Sequence, residues 1–160
     1  MKNNLFIFFL LNFLISNISF AEQFTFKSSE IELIDGGNLI YATNGSAIST
    51  DENLQIQAKN FEYSKIKNEL KAFNGTAFYK INNLEIEFDK LTTNQNTLIS
   101  VAEGNVEIFD LNNQLIIRTE TISLDQNNNI LESKSKSQLT DKANGNVLDA
   151  DEFLFNTDKD

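Results

Sequence analysis

The chain has 160 residues, enough for one domain with a substantial core. It carries 13 Lys and Arg against 23 Asp and Glu, a formal net charge of −10, so its surface repels nucleic acid and we expect no nucleic-acid partner. It contains no His and no Cys, which removes the commonest general base, thiol catalysis, disulfides and most zinc sites. We expect no enzyme activity, no cofactor and no metal.

Residues 1–21 are predicted to be a secretory signal peptide, helical as such segments are. Lys2 supplies the basic start, an apolar run extends from Leu5 to Ile15, and Ser19-Phe20-Ala21 is a small–x–small cleavage site. An uncleaved membrane anchor is the alternative. Cleavage would place residues 22–160, a single predicted domain, outside the cytoplasm.

A degenerate unit of about thirty residues recurs along this domain. Its first half reads small–x–Gly–x–small and occurs at 43–47, 73–77 and 102–106. Its second half reads apolar–x–apolar–x–small–x–x–aromatic or apolar and occurs at 54–61, 84–91, 115–122 and 148–153. A fourth first half, 130–139, has Lys136 in place of glycine. A fixed period of this length is typical of a stacked or wound architecture.

The second halves alternate between apolar and polar residues. Leu54, Ile56 and Ala58 are separated by polar residues, and this period of two predicts an antiparallel strand with one buried face. The step from Ala58 to Phe61 is odd, and the same break in parity recurs at the corresponding place in the three later copies. Each strand therefore needs a bulge or bend there to keep its apolar side on the core.

Clusters of Asn, Asp and Gly separate the half-units and supply the positive-φ positions of tight hairpins. The chain is therefore predicted to go up and down, one hairpin after another. We predict an all-β fold of about nine or more bent antiparallel strands, with no second domain and little helix outside the signal.

Two polar groups are candidates for an active site or a metal site. Glu85, Glu87 and Asp89 share one face of a strand, but that face is predicted to lie in solvent, so they lack the environments that acid–base catalysis requires. The segment 125–129 has oxygen-bearing side chains at the spacing that opens a calcium loop, but Ile130 and Lys136 replace the required Gly and Glu. A polar hairpin turn is the better interpretation, and a polysaccharide-active enzyme lacks an inward cluster of acids.

The apolar faces of the strands define a candidate lipid-binding interior. Small residues on the glycine strands leave room, which favours an unfilled apolar trough over a filled core. At about 0.8 kcal/mol per methylene, a chain of a dozen carbons would gain roughly 10 kcal/mol there. The alternative is a non-enzymatic exported scaffold or adhesin with a filled core. The residues predicted to line the interior are Tyr41, Ala47, Leu54, Ile56, Ala58, Phe61, Phe73, Ala77, Leu84, Ile86, Phe88, Leu91, Ala102, Val106, Ile108, Ile117 and Ile122.

The repeated Ala-x-Gly-x-Val, best at 101–108, and the Leu-x-Ile-x-Ala-x-x-Phe that follows it, best at 54–61, resemble the lipopolysaccharide-transport β-jelly-roll family. This family comprises the OstA-like domains of LptA and of the N-terminal part of LptD, and the resemblance spans nearly all of 24–155. It implies a V-shaped, open-ended jelly roll in the periplasm whose interior carries the acyl chains of lipopolysaccharide. It also implies terminal strands that pair edge to edge with other Lpt domains or with a second copy.

Two departures from the pattern leave open which member of the family the chain resembles. Lys136 replaces the fourth glycine, so one strand is expected to be distorted or to lie at a rim, and the chain stops at Asp160 directly after a strand. A free-standing LptA-like bridge and the N-terminal domain of an outer-membrane LptD both fit. The opening 24–47, with its Gly36-Gly37 turn, favours LptD.

Overall fold

A computed structural model describes residues 23–157, and the predicted signal peptide at 1–21 lies outside the described residues. The described chain is all-β apart from one short 3₁₀ turn, Asp35–Gly37. The eleven strands are β1 Phe24–Ile34, β2 Leu39–Ser49, β3 Leu54–Ser64, β4 Glu69–Tyr79, β5 Leu84–Asn94, β6 Ile99–Asp110, β7 Leu115–Asp125, β8 Ile130–Ser133, β9 Ser137–Asp141, β10 Val147–Ala150 and β11 Phe153–Asn156.

The strands form one antiparallel sheet in which each long strand pairs with the next along the chain. The last two strand positions are interrupted: β7 pairs with both β8 and β9, β8 pairs with β11, and β9 pairs with β10. If β8 with β9, and β10 with β11, are each counted as one interrupted strand, the sheet has nine strand positions, as predicted. The β8–β9 position, which contains Lys136 in place of the glycine, is one of the two interrupted positions. β1 and the β10–β11 position form the two edges.

The predicted break in parity is present as a bend in the middle of each long strand. In β2 the buried residues are Ile40 and Ala42 before the bend and Ala47 after it, an odd step. The bend falls at Asn44, whose φ is 48°. β4 repeats this pattern around Asn74, whose φ is 52°. The register of β3 with β2 and β4 continues across the bend without an inserted residue.

β6 bends by a different route. Gly104 and Asn105 have φ values of 75° and 45°, and the register shifts there against both β5 and β7. β6 therefore contains one extra residue, a β-bulge, which increases the local bend and twist.

The bends divide the sheet into two layers that face each other. We call layer A the segments 30–34, 39–43, 60–64, 69–73, 90–94, 99–103, 121–125, 130–133 and 153–156, and layer B the segments 24–28, 45–49, 54–58, 75–79, 84–88, 106–110, 115–119, 137–141 and 147–150. Ring contacts join the layers: the centroids of Phe24 and Tyr63 are 5.5 Å apart, and those of Phe26 and Phe61 are 5.8 Å apart, both edge to face. The core lies between the layers, and every long strand contributes to both.

The hairpin turns form two rims, rim A (35–38, 65–68, 95–98 and 126–129) and rim B (50–53, 80–83, 111–114 and 142–146). Four turns follow an Asp or Asn whose side-chain oxygen accepts backbone N–H groups two or three residues later. In a fifth turn, 50–53, Asp51 lies within the turn and accepts from the N–H of Asn53. In one of the four, the Asn128 side chain and the N–H groups of Asn127 and Asn128 hold the pKa of Asp125 below its ordinary value. The predicted polar hairpin turn is therefore present at 125–129.

We expect Gly75→Ala to destabilise the fold. An added Cβ would lie 2.1 Å from the carbonyl oxygen of Gln57 on β3, so the backbone must shift at the bend. The expected loss is about 2 kcal/mol or more of unfolding free energy, measured by urea denaturation. Thr76→Ala is the control on the next residue. Equal stability of the two variants would show that the close strand approach is not required.

We expect stability to fall in acid through the turn carboxylates. The folded-state pKa of Asp125 and of Asp141 is lowered by side-chain donors, Asn128 and Asn144 respectively. Their contribution is therefore complete above the unfolded pKa of 3.8 and is lost as the pH falls below it through the lowered folded-state pKa. Asp125→Asn keeps the acceptor oxygen and should flatten the pH dependence of the urea midpoint. Asn128→Ala should move the pKa of Asp125 back up in an NMR titration; an unchanged pKa would contradict this assignment.

Candidate lipid-binding interior

The interior is built from cross-strand rows in which small and large side chains alternate, throughout the row in layer A and as far as β5 in layer B. The row across layer A is Ala42, Phe61, Ala72, Leu91, Ala102 and Ile122. The corresponding row across layer B is Ala47, Ile56, Ala77, Ile86, Ile108 and Ile117. Each alanine lies between larger residues of the neighbouring strands, and this arrangement lets the layers pack closely.

The interior is closed in this structure. Tyr63, Ile56 and Leu84 have no exposed surface, and Phe61 and Tyr79 have 1% each. The expectation of an unfilled trough is therefore wrong for this state of the protein. The physical reason is the alternation of the rows, because the space above each alanine is taken by large side chains from adjacent strands. Any acyl chain must displace these contacts.

Most of the predicted lining residues do face the interior. Those that are buried there are Ala47, Leu54, Ile56, Phe61, Ala77, Leu84, Ile86, Phe88, Leu91, Ala102, Val106, Ile108, Ile117 and Ile122. Ala58 is partly buried and packs against this cluster at the bend. Their contact with lipid stays a prediction.

The prediction that Tyr41 and Phe73 line the interior is wrong. Their neighbours Ala42 and Ala72 occupy the core face, with 1% and 0% exposure, so alternation turns Tyr41 and Phe73 outward, where both are half-buried. The prediction assumed that the inward–outward alternation seen after the glycine continues unchanged before it. The bend at Asn44 instead shifts this alternation by one residue. An odd step on the glycine strands, like the one recognised on the other strands, would have placed Ala42 and Ala72 on the core face.

The inner face continues beyond the packed region at both edges of the sheet. Ile31 and Leu33 of β1 lie in register with the buried Ala42 and Ile40, yet they are 51% and 63% exposed. At the other edge Leu148 of β10 is 62% exposed. The layers are offset, so that layer A is uncovered at β1 and layer B is uncovered at β10. The inner apolar faces of the two layers are therefore uncovered at the two edges of the sheet, on either side of the closed interior.

The outer face carries ordinary solvated charges. Glu85 and Glu87 alternate with the buried Leu84, Ile86 and Phe88 and point away from the core. A surface cleft of about 660 Å³ lies beside the interrupted strands and is lined mostly by polar and charged residues. Residues 23–157 contain no cluster of three or more possible metal ligands. No helix in that range is long and apolar enough to cross a membrane.

Comparison with known proteins identifies the fold. No protein-family model and no curated protein matches the sequence. The structure is similar to the crystal structure of LptH, the LptA homologous periplasmic component of the conserved lipopolysaccharide transport device from Pseudomonas aeruginosa. The TM-score is 0.56 at 8% identity, over 64% of this chain and 75% of that chain. The chain therefore has an open β-jelly-roll fold of the LptA type, as its repeats predicted.

Proposed function

We propose that this protein is a lipopolysaccharide-transport module of the periplasm, with the acyl chains of the lipid held between layers A and B. The observation that carries the proposal is an apolar interior that runs across the whole sheet and emerges at both edges, in a fold of the LptA type. Apolar surface of this kind stabilises an acyl chain by about 0.8 kcal/mol per methylene.

Binding in this proposal requires the layers to separate. The strands are continuous through the bends, so the layers can move apart by hinging there while the strand-to-strand hydrogen bonds stay intact. The acyl chain then replaces contacts between side chains such as Ile56 and Phe61. The filled-core scaffold is the second candidate, and the closed interior is the observation that favours it.

Association through edge strands is the second part of the proposal. Most of β1 is exposed, and it has no pairing partner on its outer side among residues 23–157. An unpaired edge is a template for another strand. The uncovered Ile31 and Leu33 of one copy and Leu148 of another would continue one apolar interior across the junction. A free-standing LptA-like bridge and an LptD N-terminal domain would both use such a junction, and the preference for LptD stays a prediction.

We expect photo-crosslinking residues at Ile56, Phe88 and Ile117 to capture lipopolysaccharide in cells, because these side chains are buried between the layers. The matched outward positions are Glu85 and Glu87, on the same strand as Phe88. Gel shifts detected with an antibody to lipopolysaccharide measure the adducts. Capture at the outward positions alone, or at none, would favour the filled-core scaffold.

We expect cysteines at Leu33 and Leu148 to crosslink two copies of the chain under mild oxidation. The sequence contains no Cys, so each variant carries a single reactive thiol. Mixing the Leu33→Cys and Leu148→Cys proteins should give a dimer on non-reducing gels. Thr76→Cys, in the middle of the sheet, is the control. Equal dimer formation by the control would count against edge pairing.

A further inference from the structure

One corner of the molecule joins the two rims through side chains. Asn82, in the β4–β5 turn of rim B, donates from Nδ2 to Thr157 Oγ1 at 2.8 Å and to Asn129 Oδ1 at 3.1 Å. Thr157 follows β11 and lies beside Asn129 on rim A, because its N–H and its Oγ1 both donate to the Asn129 carbonyl, at 2.8 and 3.1 Å. We call these three residues the latch. It holds together the ends of layers A and B that lie farthest from the bends.

Two buried polar atoms of the described residues lack a hydrogen-bond partner, Tyr79 Oη and Gln126 Nε2, and each belongs to a residue shortly before a latch residue in the sequence. Tyr79 precedes Asn82 by three residues, and Gln126 precedes Asn129 by three residues. Burial raises the pKa of the Tyr79 phenol, and the neighbouring Ser100 hydroxyl, which donates to Thr93 Oγ1 at 2.9 Å, offsets this rise only in part and does not reach hydrogen-bond geometry with Tyr79 Oη. A buried polar group without a partner costs about 1–3 kcal/mol. Both atoms are unsatisfied in the closed state, so the closed state carries this energetic cost.

The outer side of this corner is apolar. Ile81, directly before Asn82, is 66% exposed. Leu111, in the next turn of rim B, is 51% exposed, and its N–H donates to the Asn83 carbonyl at 3.2 Å. Two large apolar side chains thus lie in solvent on the rim B turns beside the latch.

We propose that this corner is the gate through which an acyl chain enters the interior, and that the latch controls its opening. This inference rests on the proposed function. When Asn82 releases Thr157 and Asn129, layers A and B part at the rims. The acyl chain then passes Ile81 into the apolar rows, and the hydroxyl of Tyr79 and the amide of Gln126 gain partners in water or in the polar head of the amphiphile. No covalent step is involved.

The bends cannot serve as the gate. Each strand is covalently continuous through its bend, so the two layers cannot separate from each other at that side. Movement at the bends instead opens the opposite side, where the rims meet. The latch is located on that side and uses side chains rather than the strand ladder. It can therefore open without loss of any β-sheet hydrogen bond.

The test is the rate at which the fluorescent fatty acid cis-parinaric acid binds, measured by stopped flow. In an Asn82→Cys/Thr157→Cys variant, a short bis-methanethiosulfonate reagent links rim B to rim A, and a reductant reverses the link. The matched control is Lys90→Cys/Glu103→Cys, which links the directly paired outer-face positions of β5 and β6 within layer A. We expect the rim link to abolish rapid binding, reductant to restore it, and the control link to leave it unchanged.

Equal rates for the linked and reduced rim variant would overturn the gate, while binding itself would still support the proposed function. Absence of probe binding by the wild type and by every reduced variant would overturn the proposed function as well. Asn82→Ala provides a second measurement that does not depend on the cysteines. It should bind the probe on the order of fivefold faster for each hydrogen bond removed, and a rate at or below that of the wild type would contradict the latch.

Discussion

The fold depends on one backbone constraint, the bend in the middle of each long strand. Without it, the odd step in each strand would place its two apolar halves on opposite faces of a single sheet, and neither face would have a second layer to pack against. Asn44 and Asn74 make the bend with left-handed φ values. Gly45 and Gly75 permit the close strand contact, because a Cβ at either position would overlap a neighbouring carbonyl oxygen. The repeated sequence unit therefore reflects the recurrence of this bend in successive strands.

The closed interior changes how a carrier role must work. A preformed channel would bind lipid without rearrangement, whereas here Ile56, Phe61 and their neighbours already bury one another. Lipid binding then exchanges one set of apolar contacts for another. The net free energy is smaller than the transfer of the acyl chain alone would give, and the opening step decides the rate. Under the proposed function, weak net binding would let the lipid pass on to another carrier.

Sequence periodicity predicted the all-β class, the nine strand positions and the bends, because these depend on alternation within single strands. It placed Leu54, Ile86 and Ile117 inward correctly. It failed for Tyr41 and Phe73, where the bend resets the parity. The closed interior could not be predicted from alternation within single strands. The small Ala72 lies between the larger Phe61 and Leu91 only because of the register between neighbouring strands. The asparagines supply turn contacts and the latch, which alternation within a strand does not report.

The strand order has a consequence for how the chain acquires its structure. Up to β8, every strand pairs with the strand that precedes it along the chain. Ladder contacts of such short sequence separation correspond to low contact order and favour fast folding. A polypeptide that emerges N-terminus first could add one hairpin at a time to a growing sheet. The contacts of Asn82 with Asn129 and Thr157 span 47 and 75 residues, so they would form last.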